Sequence, residues 1–378
     1  MQFSQVIGQS ALKERLTASF REGRIAHALM FLGPEGSGNL ALALAFAQYI
    51  ACPNRTEHDS CGVCPTCKKI DQHQFADLHY TFPFFNKSEG SEKTTCNDWI
   101  TAWRNHLKQA PYTTVDEWRN EITEDNKQLI MSVYEAANII QHLTLKSYEG
   151  GYKFQVIWMA EYLKTDTANK LLKIVEEPPE KTIFLFVANS LENILQTILS
   201  RVQVVYVPKV DDDAMLQSLL NLGASDEKAQ EIAHFAHGDW NKALQLLHSK
   251  NPDENYAIQF QLWMRMCYKK DVPGIIRWSD EMHKLNREDQ KHFLTYALDQ
   301  IRQNLVLNYA GADFVRLNHS EKSFSDKFAP FINDLNAEEL MEEITEAFHD
   351  VSRNAYTKLV LTDLSFKLHY LLTRKAEA

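Results

Sequence analysis

Gly33-Pro34-Glu35-Gly36-Ser37-Gly38-Asn39-Leu40 stands between a short apolar run, Ala28–Leu32, and an Ala- and Leu-rich stretch, Leu40–Ala51. The first reads as a buried strand and the second as a helix. A glycine loop joining a strand to a helix is the setting of a phosphate-binding loop, G-x4-G-K-[ST]. Gly33 and Gly38 occupy the glycine positions. Asn39 replaces the lysine that reaches the β- and γ-phosphates, and Leu40 replaces the hydroxyl that holds Mg²⁺. Backbone amides at a helix N-terminus can still cradle an anion. The charge neutralisation that phosphoryl transfer depends on is missing.

Outward from this loop, strand and helix patterns alternate as far as about residue 207. Lys153–Met159, Thr182–Ala188 and Val202–Val207 are apolar runs of strand length. Asp166–Glu177 carries Ala168, Leu171, Leu172 and Val175 at helical spacing, with Thr165 or Asp166 as N-cap and Pro178-Pro179 as terminator. Glu192–Ser200 reads as a short helix. Alternation of this kind implies a parallel sheet covered on both faces. A nucleotide hydrolase would end the strand Lys153–Met159 in carboxylates for Mg²⁺ and water. Apolar Trp158 and Met159 stand there instead, with Glu161 beyond the strand end.

After Pro208 the pattern is helical. Asp211–Ser249 is punctuated by Gly223 and Gly238, and the run Asp211-Asp212-Asp213 caps a helix. Asn251-Pro252-Asp253 is a second hinge. Tyr256–Lys269, Pro273–Leu285, Arg287–Ala310, Ala337–His349 and Asn354–Arg374 read as amphipathic helices, with Leu361, Leu364, Leu368 and Leu371 as a core stripe. A polar insertion spans about 84–122. It opens on a solvated loop, Lys87–Lys93, and its Trp99, Trp103 and Trp118 imply packed helices.

The 378 residues carry 40 Lys and Arg against 50 Asp and Glu, a net charge of −10. That excludes a protein that coats nucleic acid by bulk charge. Thirteen glycines and 11 prolines are too few for a turn-rich all-β fold. No apolar run reaches the ~18 residues of a membrane span. Met1-Gln2-Phe3-Ser4-Gln5 lacks the basic and apolar regions of a signal peptide, so a cytoplasmic protein is expected. In that compartment six cysteines point to metal or free thiols. Cys52, Cys61, Cys64 and Cys67 form C-x8-C-x2-C-x2-C, with Gly62 and Pro65 suited to the tight turns. Four thiolates make a closed, structural zinc site with no open position for substrate. Cys96 and Cys267 are isolated and read as small hydrophobes.

Several stretches resemble the delta-prime subunits of the bacterial DNA polymerase III clamp loader, an AAA+ family. They are Phe3–Gln9, Arg24–Phe31, the four cysteines, Asn169–Pro179 (Asn-Lys-Leu-Leu-Lys-Ile-Val-Glu-Glu-Pro-Pro) and Thr197–Val202 (Thr-Ile-Leu-Ser-Arg-Val). The likeness covers most of 1–250 and weakly the remainder. It implies an α/β then all-α chain: an AAA+ P-loop-type parallel-sheet domain over 1–207 with a zinc module at 52–67, a small helical lid over 208–250, and a helical collar for oligomerisation over 251–378. It implies that Arg201, beside Ser200, is an arginine finger offered in trans to a neighbour's ATP site. Val202 departs from the Cys of the family's Ser-Arg-Cys motif. The motor relatives carry an ATP-sensing arginine where this chain has Asn241.

The resemblance therefore implies a subunit with no intrinsic ATPase activity. It would work beside ATPase motor subunits and a delta-like subunit, and reach the sliding clamp and primer–template DNA through the complex, with no membrane partner. Two other readings stay open: an ATP-hydrolysing motor subunit of the same loader, and a zinc-bearing AAA+-derived scaffold outside replication.

Overall fold

The structure is a computed structural model that describes residues 1–85, 94–123, 129–248, 252–311, 314–315, 317 and 319–374. The expected loop at Lys87–Lys93, and Asn251 of the expected hinge, lie outside the described residues. The chain divides into two compact units, Met1–His248 and Ser249–Ala378.

The first unit is built on five strands: β1 (Ala28–Leu32), β2 (Leu78–Thr81), β3 (Lys153–Trp158), β4 (Thr182–Ala188) and β5 (Gln203–Tyr206). Their order is β2-β3-β4-β1-β5 and every pairing is parallel. That is an AAA+-like sheet. β1, β3 and β4 are buried along their whole length, which is why each reads as a continuous apolar run. β2 was not legible: Leu-His-Tyr-Thr is four residues long with His79 half-exposed. Its extended form comes from pairing with β3, Leu78 against Phe154 through Thr81 against Ile157.

Helices α1 (Ser10–Arg21), α2 (Asn39–Ala51), α3 (Pro65–Asp71), α4 (Ile100–Gln109), α5 (Val115–Ile122), α6 (Val133–Thr144), α7 (Thr165–Glu176) and α8 (Gln196–Leu199) accompany the sheet. α2 is buried from Asn39 to Ile50, as its nearly uniform apolar composition requires. Three sequence expectations need correcting. The helix expected over Glu192–Ser200 is only the single turn α8, because Ser190 Oγ and the Leu191 carbonyl hold Glu192 and Ile194 in turns. Thr165 is the first helical residue of α7, and the N-cap is Lys164, without a side-chain bond. Met159 lies outside β3, at φ 58°, so Trp158 is the last strand residue.

α9 (Asp212–Asn221), α10 (Asp226–Ala236) and α11 (Trp240–His248) complete this unit. Asp211 caps α9 by accepting the Ala214 amide, as the acidic run implies. The second unit is helical throughout: α12 (Pro252–Lys269), α13 (Val272–His283), α14 (Arg287–Ala310), α15 (His319–Phe328), α16 (Ala337–Ser352) and α17 (Thr357–Thr373). Its core includes Trp263 stacked on Trp278 at 4.9 Å, together with the expected stripe Leu361, Leu364, Leu368 and Leu371. Cys96 and Cys267 are buried apolar residues of the first and second units. Among the described residues no helix is long and apolar enough to cross a membrane.

Candidate functional site: a self-filled crevice, a cysteine cluster and an arginine

The loop Gly33–Gly38 lies at the carboxyl end of β1, where open parallel sheets bind ligands. Here the chain's own groups satisfy it. Asn39 Nδ2 bonds the carbonyls of Gly33 and Ala188, at 3.1 and 3.2 Å, and Asn189 Oδ1 at 3.1 Å. Asn39 Oδ1 takes the Leu40 amide at 2.8 Å, one of the free N–H groups an anion would need. Asn39 thus substitutes internal hydrogen bonds for the lysine's charge.

Two residues close the loop from outside. Gly38 has φ 85°, and a methyl group there would stand 2.7 Å from Cε1 of Tyr112. Tyr112 follows α4, inside the insertion. Its hydroxyl accepts the Ile7 amide at 2.8 Å, and its carbonyl accepts Asn241 Nδ2 at 2.6 Å. Gly36 has φ 72°, and a methyl group there would overlap the Asp239 carboxylate. Asp239 caps the start of α11 by accepting the Asn241 and Lys242 amides, while the Trp240 amide donates to Gly36 O. Burial pushes the Asp239 carboxyl above its ordinary range. A carboxylate against the loop repels phosphate at any pH where it is ionised.

The metal side is filled as well. Trp158 packs on Trp103 of α4 at 4.9 Å. Trp103 in turn stacks on Phe82 at 4.5 Å and meets Trp118 of α5 edge-on at 5.0 Å. Trp118 Nε1 donates to Pro83 O. The insertion is therefore an aromatic core laid over the ends of β2 and β3. Glu161 does not face a metal position: its Oε1 accepts the Asn189 and Ser190 amides. A cleft of about 820 Å³ does exist beside Tyr112, lined in part by Val6, Ile7, Leu222, Trp240 and Leu244. No residue of Gly33–Leu40 lines it.

Because Trp103 is fully buried at this junction, Trp103→Ala should destabilise the first unit by about 3–5 kcal/mol. Urea unfolding checks this. A loss below 1 kcal/mol would mean that the insertion packs loosely on the sheet.

The four cysteines come together. Every pair of sulfurs lies within 4.8 Å. Cys52–Cys61, Cys52–Cys64 and Cys61–Cys67 are 3.6, 4.0 and 3.9 Å apart. A tetrahedral ion with bonds of ~2.3 Å requires sulfurs about 3.8 Å apart, so the set can hold a metal ion such as zinc. The amides of Cys61, Cys64 and Cys67 each donate to the preceding cysteine's sulfur at 3.4 Å. The Val63 and Cys64 amides hold the Cys61 thiol down to about 6, while burial raises Cys52 and Cys67. Cys64 also caps α3, with Pro65 in its first turn.

Arg201 lies between α8 and β5, partly exposed. Its Nε and guanidinium Nη2 bond Glu176 Oε2, both at 2.8 Å. Nη1 bonds Thr197 O at 3.0 Å and Ser200 Oγ at 3.3 Å. Sequence reasoning singled out Arg201 and Ser200 but not Glu176, which comes from the end of α7. It missed Tyr112 and Asp239 too. The one available signal, Trp158 at a strand end, demands an apolar partner and so points to Trp103 of the insertion, not to these three residues.

The family model for the DNA polymerase III delta subunit matches residues 8–211, more than half of the chain. The chain belongs to this family. Curated relatives include the DNA polymerase III subunit tau/gamma of Haemophilus influenzae, 25% identical over 65% of this chain and 30% of that protein. Subunit tau of Escherichia coli is 26% identical over 65% and 32%. Subunit gamma of Buchnera aphidicola subsp. Baizongia pistaciae is 25% identical over 93% and 75%. The chain spans about a third of the length of the first two. Among solved structures, a DNA polymerase III gamma subunit-related protein from Thermotoga maritima aligns over 96% of this chain and 99% of its own, with 12% identity and a TM-score of 0.41. The RuvB Holliday junction branch migration motor of Thermotoga maritima gives 11% identity over 98% and 89%, with a TM-score of 0.38. Superpositions that loose carry no weight. The family assignment is in keeping with the five-stranded parallel, AAA+-like sheet followed by helices.

Proposed function

We propose that this chain is a non-hydrolysing, delta-prime-like subunit of the replicative clamp loader. It supplies structural support and a trans arginine finger, Arg201, for ATP-driven loading of the sliding clamp onto primed DNA. The observation that carries this is the self-filled crevice. Asn39 replaces the lysine, Tyr112 and Asp239 close the loop, and Trp158 packs under Trp103 where a hydrolase holds its metal. The partners are ATPase motor subunits and a delta-like subunit, with the clamp and primer–template DNA reached through the complex, in the cytoplasm. Residues 1–207 serve as the AAA+-like domain, 208–250 as the lid and 251–378 as the oligomerisation collar. Cys52, Cys61, Cys64 and Cys67 hold a structural zinc ion.

Titration calorimetry with Mg·ATP tests the reading on the isolated chain. No binding is expected up to millimolar nucleotide. Asn39→Lys alone should create neither binding nor hydrolysis, because Leu40 and Trp158 leave Mg²⁺ without ligands. The curated relatives carry the names tau and gamma, and that favours a nucleotide-binding motor subunit as the rival. A micromolar dissociation constant would decide for the rival.

A further inference from the structure

In the second unit, aromatic side chains of α12, α15 and the turn after α15 meet at the surface. Tyr268 meets Phe331 edge-on at 4.9 Å, and Phe324 stacks on Phe328 at 5.0 Å. Between them, floored by buried Met264 and Leu372, lies a slot of about 200 Å³. Three cations stand around it: Arg265, Lys269 and Lys327. All three are exposed, and no carboxylate lines the slot. Among the described residues no ion pair holds any of them. On a chain of net charge −10, this is a local reversal of sign around an apolar recess.

A slot this small cannot take a cofactor or a drug-sized ligand, which need about 300–1,000 Å³. It suits one bulky side chain. A small free anion would use the cations and leave the aromatic walls in water. Single-stranded nucleic acid needs a continuous basic groove to track its backbone, whereas these cations ring one recess. What matches both features is an apolar anchor flanked by carboxylates.

We propose that this slot docks an acidic linear segment of a partner protein. One aromatic or leucine side chain enters between Tyr268, Phe324 and Phe331, and neighbouring carboxylates face Arg265, Lys269 and Lys327. The anchor supplies affinity by burial, and the charges supply orientation and association rate. The proposal is independent of the nucleotide crevice and of Arg201.

Fluorescence anisotropy on the full chain tests it, with fluorescein-labelled Gly-Asp-Glu-Asp-Glu-Phe-Gly as probe. Saturable binding in the micromolar range is expected, weakening as salt rises. A peptide with Ser for Phe, and one with Asn and Gln for the acids, should each bind at least about tenfold more weakly. The double variant Arg265→Glu, Lys327→Glu should lose roughly tenfold in affinity. Both residues are exposed, so its thermal unfolding should match the wild type. No saturable binding overturns the proposal, as does equal binding of the serine peptide or indifference to the charge reversals. Displacement of the probe by oligo(dT) would assign the slot to single-stranded DNA instead. Concentration-dependent dimerisation, abolished in the same double variant, would assign it to a second copy of this chain. Either result overturns the peptide.

Discussion

Replacing Arg201 by alanine is expected to lower clamp-stimulated ATP hydrolysis by a reconstituted loader while leaving its stoichiometry intact. A guanidinium placed on a neighbour's γ-phosphate is worth about 10³–10⁵ in rate at that one site. The measured drop should be partial, because in the proposed role Arg201 serves only the one motor site that faces this subunit. In this chain Arg201 is paired with Glu176, with 30% and 57% of the two side chains exposed. An ion pair that open contributes at most about 1 kcal/mol. Glu176 can therefore orient the guanidinium while the subunit is free and release it cheaply to a phosphate. Glu176→Gln should accordingly preserve activity to within a few-fold. Arg201→Lys should rescue poorly, since an ammonium is a point charge where the planar fork makes paired contacts. The decisive comparison is ATPase and clamp-loading rates of wild-type and Arg201→Ala complexes at verified equal composition. Equal rates in both assays would reduce Arg201 to a surface arginine.

Removal of metal should reach further than the cysteine loop. Protein purified without chelator is expected to carry about one zinc per chain; well under half an equivalent would sink the zinc reading. The segment between Cys52 and Cys61 holds the start of the chain. The Asp59 carboxylate accepts the Phe3 and Ser4 amides, both at 2.9 Å, and Gln2 Nε2 donates to Ser60 O at 2.7 Å. Phe3 is buried against Phe46 and Tyr49 of α2. Structural zinc is worth about 10–16 kcal/mol in small peptides, but here the module is anchored to a large core, so the sheet should persist without it. Chelation, or Cys64→Ser, should therefore release both the module and the Phe3 anchor. The expected result is a fall in Tm on the order of 10 °C and new protease cuts within 52–71 and near Phe3, with the helical and sheet signal largely kept. Loss of cuts at Phe3 from that pattern would confine the metal's role to its own loop.

Much of the first unit was legible because its signals are local. A strand buried on both faces must be a continuous apolar run, so Ala28–Leu32 and Thr182–Ala188 announce themselves at the observed limits. Cys61, Cys64 and Cys67 stand at two-residue gaps, with eight residues between Cys52 and Cys61, and the four sulfurs do come together, within 4.8 Å of one another. The absence of a lysine at Asn39 and of acids at Trp158 needs only the residue names. What stayed hidden was short or depended on a partner. β2 is extended because β3 pairs with it, and α8 is one turn because Ser190 and Leu191 fix the residues before it.

The sequence by itself determined that the phosphate loop lacks its lysine and hydroxyl, that four cysteines cluster, and that helices follow the sheet. Each of these is written in residue type and spacing over a few tens of positions. Only the tertiary structure decided what occupies the disabled crevice. Tyr112 comes to Gly38 from the insertion, Asp239 comes to Gly36 from the start of α11, and Glu176 comes to Arg201 from the end of α7. These contacts join residues that are remote in the chain. Periodicity and composition carry no information about which remote side chain fills a gap, because close packing of the whole core selects it.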